Sequence, residues 1–322
     1  MSQGNQPPVS PQCARRTALR GLVGAAVLPW ACAPNRAPVT ADPPPSGKSR
    51  GARGPSVGRV GSYVSDPWSF STCSYWIEGP TGLVLIDTQF LATATEHFVL
   101  VAEEATGKPV ELAVVLHANP DKFNGTRVLQ RRGIEVVSSQ QVCDLIPEIH
   151  AKRSRAFAKR YAPDYPTEIP RPASFGDGET QLHAGGLTLT AHVGGAGCSE
   201  AHVWIEFEEH VFVGDLVAKD AHAWLEIGRP DAWLERIAEI ESLQPSFVHA
   251  GRGGSGGGKL LPEQRAYLEF VIRRVQREEP SGAPSDAALE RVRLDIEARY
   301  PNYDFGIFLK LGLPAVWRHY AA

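Results

Sequence analysis

The sequence predicts an α/β layered fold beginning near residue 61, and two observations carry that prediction. Three short apolar runs, LVLID at 83–87, ELAVVL at 111–116 and IEVV at 134–137, alternate with stretches of helical length at 92–104 and 125–132. Strands alternating with helices are the mark of helices laid against a sheet. A strand-rich stretch then spans 187–213, and a helix-rich stretch closes the chain.

In chain order, SYWI at 74–77 reads as a strand and GPTG at 79–82 as a turn. The run at 83–87 is a buried strand ending in a carboxylate, and the run at 111–116 is a second one leading to His117. The middle segment, 142–165, is amphipathic and helical. Strands follow at 187–192, 201–208 and 211–213, the last opening into Gly214-Asp215. A helix covers 231–243. A final strand at 247–249 leads into a glycine-rich loop over 251–258, and helices are expected at 262–279 and 285–299.

The first sixty residues have a different character. Arg15-Arg16 precedes the apolar run GLVGAAVLPWA at 21–31, which ends at Cys32. A positive region, a short apolar region and a small-residue cleavage zone form an export signal. The run is shorter than the roughly 20 residues a membrane span requires. The paired arginines resemble a twin-arginine signal, and LPWAC resembles a lipobox with Cys32 as the residue to be acylated. Residues 33–58, rich in Pro, Ser, Gly and Arg, read as a disordered or extended tether. The expected location is therefore the periplasm, with membrane attachment only through a lipid at Cys32.

The 322 residues are 43% hydrophobic and 21% charged, with net charge −3, which supports a real core and gives no pull toward nucleic acid. The basic run 152–160 reads as a solvated helix face. The five cysteines form no C-x-x-C pair, so neither a zinc knuckle nor a dithiol redox motif is supported.

Five landmarks resemble the metallo-β-lactamase superfamily over roughly residues 60–258. They are Leu85-Ile86-Asp87, the loop His117-Ala118-Asn119-Pro120-Asp121-Lys122, the loop Gly195-Ala196-Gly197-Cys198-Ser199, Val213-Gly214-Asp215-Leu216, and Val248-His249-Ala250-Gly251-Arg252. The resemblance implies a four-layer αββα sandwich over 59–258, with 259–322 as a helical extension packed on it. It also implies one or two metal ions, usually zinc, generating a hydroxide nucleophile.

Mapped onto that family's ligand positions, the chain keeps His117, Asp121 and Asp215. It has Asn119, Lys122, Cys198 and Arg252 where the family has histidines. Protonated Lys and Arg cannot ligate a metal. Placed opposite Asp121 and Asp215, they would neutralise carboxylates that a divalent ion normally offsets. No cofactor is expected on this reading; the alternative is one zinc held by His117, Asp121, Cys198 and Asp215. Cys198 could instead serve as a nucleophile with His117 or His202 as base, or as a buried structural thiol. His222, Trp224 and His249 are the candidates for facing a pocket.

These readings suggest an exported protein with a degenerate metal site, acting as a non-catalytic or metal-independent binding or accessory protein. The alternative is a hydrolase of a small ester, lactam or thioester with a remodelled mononuclear site. A role in a periplasmic redox or cofactor pathway is a third reading. The expected partner is a small molecule or a periplasmic protein.

Overall fold

The computed structural model describes residues 42–43 and 47–322. Arg15-Arg16, the apolar run and Cys32, which carry the export and lipidation readings, lie outside the described residues.

Two sheets face each other. The first has seven strands in sequential order. An antiparallel meander, β1 (Gly51–Arg53), β2 (Val60–Ser65), β3 (Cys73–Glu78) and β4 (Leu83–Ile86), leads into parallel strands β5 (Val110–Val114), β6 (Glu135–Ser138) and β7 (Ala173–Ser174). The parallel connections need crossovers. Helices α1 (Ala92–Thr106), α2 (Pro120–Phe123), α3 (Thr126–Arg131) and α4 (Gln140–Phe157) supply them. The sequence-predicted tether overlaps β1, whose residues pair with Tyr63 to Ser65.

The second sheet has the order β13-β12-β11-β10-β9-β8. Its strands are β8 (Thr180–Ala184), β9 (Leu187–Gly194), β10 (His202–Phe207), β11 (His210–Ala218), β12 (Phe247–Arg252) and β13 (Ser255–Gly257). The stretch read as a glycine loop thus contains a short strand that folds back on β12. Helix α5 (Pro230–Ser242) makes the parallel β11–β12 crossover. Helices α6 (Leu260–Gln276), α7 (Asp286–Arg299) and α8 (Gly306–Tyr320) complete the chain.

Alternation along β11 assigns its faces. Phe212 joins the core between the sheets with Leu85, Val114, Leu189 and Ile205. Val211 and Val213 join a second core with Trp233, Ile237, Leu268 and Leu309 of the helices outside. Phe98 of α1, Leu129 of α3 and Val142 of α4 pack with the first sheet. The result is the αββα sandwich with added C-terminal helices. No helix among the described residues is long and apolar enough to cross a membrane.

Candidate functional site

The loops that leave β4, β5, β11 and β12 bring together five buried ionisable side chains. Asp87 follows β4 with φ +63°, and its Oδ1 accepts the Leu116 N–H at 2.9 Å. Asp121 and Lys122 sit on α2, a single turn started by Pro120 after Asn119. Asp215 lies in β11 behind Gly214, which has φ +54°. Arg252 ends β12. Left-handed conformations at non-glycine Phe70, Ser71, Asp87, Gln89 and Phe305 also lie around this end of the sandwich, and strain of this kind collects where a site over-determines the backbone.

Lys122 is fully buried and its Nζ lies among three carboxylates: 2.9 Å from Asp215, 3.4 Å from Asp121 and 3.7 Å from Asp87. Arg252 donates from Nη2 to Asp121 at 2.7 Å and from Nη1 to the Phe70 carbonyl at 2.5 Å. Its Nη2 is 3.6 Å from Asp215. Thr72 accepts from Arg252 and donates to Asp121 at 3.1 Å. The guanidinium lies over Phe305 and Phe308, 5.2 and 5.6 Å from the ring centroids. Gly251 makes room for the cluster, since a Cβ there would stand 2.0 Å from Asp215 Oδ1.

Burial alone would raise both Asp121 and Asp215, but Lys122 and Arg252 outweigh it and hold the two carboxyls below their ordinary range. Burial would likewise lower Lys122, yet Asp215, Asp121 and Asp87 raise it, so it stays charged. Asp87 is different: burial dominates and pushes it up to about 7 despite Lys122. Its place as the cluster's third carboxylate is what the sequence reading missed.

Beside this cluster stands a second group with no fixed charge. His117, Cys198 and His202 are buried, and one ligand atom from each lies within 4.8 Å of the others. Cys198 Sγ is 3.1 Å from His202 Nε2. His202 Nδ1 is 3.0 Å from the Gly195 carbonyl, so Nδ1 carries the proton and Nε2 accepts from the thiol. Burial lowers His117 to about 4 and His202 to about 3, and raises the Cys198 thiol well above its ordinary value. Without a metal, neither a thiolate nor an imidazolium forms, which speaks against Cys198 as a free nucleophile. His117 Nε2 is also 3.9 Å from Asp215.

The mixed zinc site expected from His117, Asp121, Cys198 and Asp215 is divided between these groups. Asp121 and Asp215 face the cations, and Cys198 faces His202.

An aromatic cleft opens over the cluster, lined by Phe70, Phe90, Phe157, Trp224 and Phe308, with Asn119, Asp121, Arg153, Asp215 and Arg252 among its polar residues. Of the three expected pocket residues only Trp224 lines it. His222 is buried, with Nδ1 3.1 Å from the Tyr267 hydroxyl. His249 lies between the sheets, stacked 4.4 Å from Phe212, with Nδ1 2.8 Å from Ser255 Oγ. Arg153, read as part of a solvated face, turns inward, pairs with Glu226 and stacks on Trp224 at 5.3 Å. Cys73, Cys143 and Cys198 are all free thiols.

A family model described as the metallo-beta-lactamase superfamily matches residues 69–252. Among solved structures, the chain is similar to a metallo-beta-lactamase from Pontibacter korlensis, with TM-score 0.53 and 19% identity, covering 68% of this chain and 99% of that one. It is also similar to the DIM-1 metallo-beta-lactamase, at 0.55 and 16%, covering 68% and 97%. For TMB-1 the values are 0.54 and 16%, with the same coverage. A search of curated protein sequences found no match.

Proposed function

The chain belongs to the metallo-β-lactamase superfamily, and from that premise we propose that it is an exported, non-catalytic member whose cleft binds a ligand or partner instead of hydrolysing one. One observation carries the reading: Lys122 and Arg252 contact Asp121 and Asp215, two of the family's ligand positions. A divalent ion between Asp121 and Asp215 would stand beside two buried fixed cations, and the repulsion at such distances in a dry site is large. With that ion excluded, no metal-bound hydroxide forms there. The aromatic walls suit a small apolar or aromatic group, or the side chains of a periplasmic protein.

The leader 1–32 and the segment 33–58 complete the proposal. Arg15-Arg16 directs export to the periplasm, Cys32 is the acylation site, and the folded domain takes in β1 (Gly51–Arg53) of the expected tether and continues through 258 into the extension 259–322. Replacing both arginines with lysine is expected to trap precursor in the cytoplasm. Cys32→Ala is expected to abolish palmitate labelling.

The site itself is tested by metal dependence. The Asp121→Asn protein is expected to hold the same amount of zinc as the unaltered chain, and neither to hydrolyse lactams or esters. Restoring the family's ligands with Asn119→His, Lys122→His, Cys198→His and Arg252→His together is expected to add zinc. Zinc in the unaltered protein that disappears with Asp121→Asn would move the hydrolase reading to first place. That comparison decides even if the fourfold variant does not fold.

A further inference from the structure

We propose that His117, Cys198 and His202 supply three donors of a mononuclear site for one thiophilic d10 ion, zinc(II) or copper(I), distinct from the position between Asp121 and Asp215. The proposal goes beyond the preceding reading, which concerns the carboxylates, and His202 is the residue that makes it.

The donor atoms already converge. Cys198 Sγ lies 3.1 Å from His202 Nε2 and 3.9 to 4.0 Å from the two His117 nitrogens. With zinc–sulfur near 2.3 Å and zinc–nitrogen near 2.0–2.1 Å, tetrahedral angles put sulfur and nitrogen about 3.6 Å apart. That value falls inside the observed span, so small side-chain rotations suffice. His202 is also oriented as a ligand is: its Nδ1–H is tied to the Gly195 carbonyl, which aims the Nε2 lone pair at the sulfur, the usual arrangement behind a metal-bound histidine. Gly197 permits this approach, since a Cβ there would stand 3.0 Å from His202 Cε1 and 2.5 Å from Leu216 Cδ2. Both nitrogens of His117 have only long contacts, at 3.9 and 4.0 Å to sulfur and 3.9 Å to Asp215, so an ion would use a group now held loosely.

Charge agrees with chemistry. Two imidazoles and a thiolate suit soft or borderline ions. Binding breaks the S–H bond, forms a metal–sulfur bond and releases one proton to solvent, with no electron transferred. Three carboxylates stand beside two cations in the adjoining cluster, so the buried group bears one excess negative charge when all are ionised. A zinc–thiolate unit carries one positive charge and closes that balance; a copper(I)–thiolate unit is neutral and leaves it unchanged. All three donors are buried, and the ion would brace the loop after β9 against β5.

The test uses the full chain, reduced and stripped of metal by chelation. Cobalt(II) serves as the optical probe, and zinc(II) and copper(I) are titrated in separate arms. One ion per chain in at least one arm, with a single thiolate-to-cobalt charge-transfer band, is expected. Cys198→Ser should remove the band, and His202→Asn should weaken zinc or copper binding by about tenfold or more. Asp121→Asn and Cys143→Ser should leave it unchanged. Absence of binding in both metal arms, or a cobalt complex of the unaltered protein without the thiolate band, overturns this inference alone. Binding lost with Asp121→Asn but kept with His202→Asn overturns both this inference and the carboxylate reading. The spectrum of the unaltered protein decides even where a variant fails to fold.

Discussion

The two neighbouring groups at this end of the sandwich are equally buried and are stabilised in opposite ways. In the group around Lys122, the side chains of Asp121, Asp215, Lys122 and Arg252 are charged and each charge is met by another within 4 Å, with Asp87 as a surplus acid. Around Cys198, every member is neutral, and a chain of hydrogen bonds runs from thiol to imidazole to carbonyl. The difference teaches where each group is vulnerable. Removing one charge from the first leaves its partner buried and unmet, whereas removing one member of the second leaves only an unsatisfied neutral atom.

The largest expected effect breaks the charged group. Lys122→Met should lower stability by about 3–5 kcal/mol, read from guanidinium unfolding at pH 7. Adding Asp215→Asn should recover part of that loss. A loss below about 1 kcal/mol would mean that water reaches these carboxylates and that the contrast with the neutral group is unfounded.

Asp87→Asn sharpens the comparison, because Asp87 is the surplus acid. Its folded pKa of about 7 lies above the unfolded value near 3.9. The folded state therefore binds more protons, and Asp87 costs stability that accrues as pH rises from about 4 to about 7 and stays constant above. Asp87→Asn should stabilise the protein by about 2–4 kcal/mol at pH 8, and by less at pH 5. Asp121 and Asp215, whose pKa values are depressed, act in the opposite sense: their contribution is present above about pH 4 and is lost on further acidification. A variant less stable than the parent at pH 8 would show that Lys122 requires all three anions.

The smallest effect belongs to the neutral group. In metal-free protein, Cys198→Ala should cost about 1–2 kcal/mol, with no change in the pH dependence between 5 and 8. A cost as large as that of Lys122→Met, or a new pH slope, would erase the distinction.

Much of this was legible in the sequence because the site's residues sit at the ends of apolar strands, where a chain leaving a sheet must turn. LVLI before Asp87, ELAVV before His117 and VFVG before Asp215 announce themselves by composition. Lys122 and Arg252 are informative because fixed cations at those loop positions need carboxylate partners, and they lie 2.9 Å from Asp215 and 2.7 Å from Asp121, respectively. What was not legible depends on direction or distance. His249 and Arg252 are three residues apart on one strand, so they face opposite sides; the first enters the core and the second the cleft. His222 follows the Gly-Asp strand but is taken up by Tyr267 and Tyr303. The strand Gly51–Arg53 has no apolar alternation and exists only through its pairing with β2. His202 carries no motif, and only the turn between Cys198 and β10 brings its ring to the thiol.

The rings over Arg252 come from Phe305 and Phe308, and the backbone of Asp304 pairs with Asp220 and His222 nearby. The site's roof is thus made from residues that leave the ribosome after every charged member of the cluster. Every charged member of the cluster is synthesised before residue 253, but the guanidinium gains its aromatic cover only once the chain has grown past residue 308. Since domains tend to assemble from the N-terminal side as they emerge, the nascent protein passes through a stage in which both sheets can form while the cluster's outer face is still wet. A chain stopped by a premature codon in that interval would keep every landmark of the family and lack the closed site.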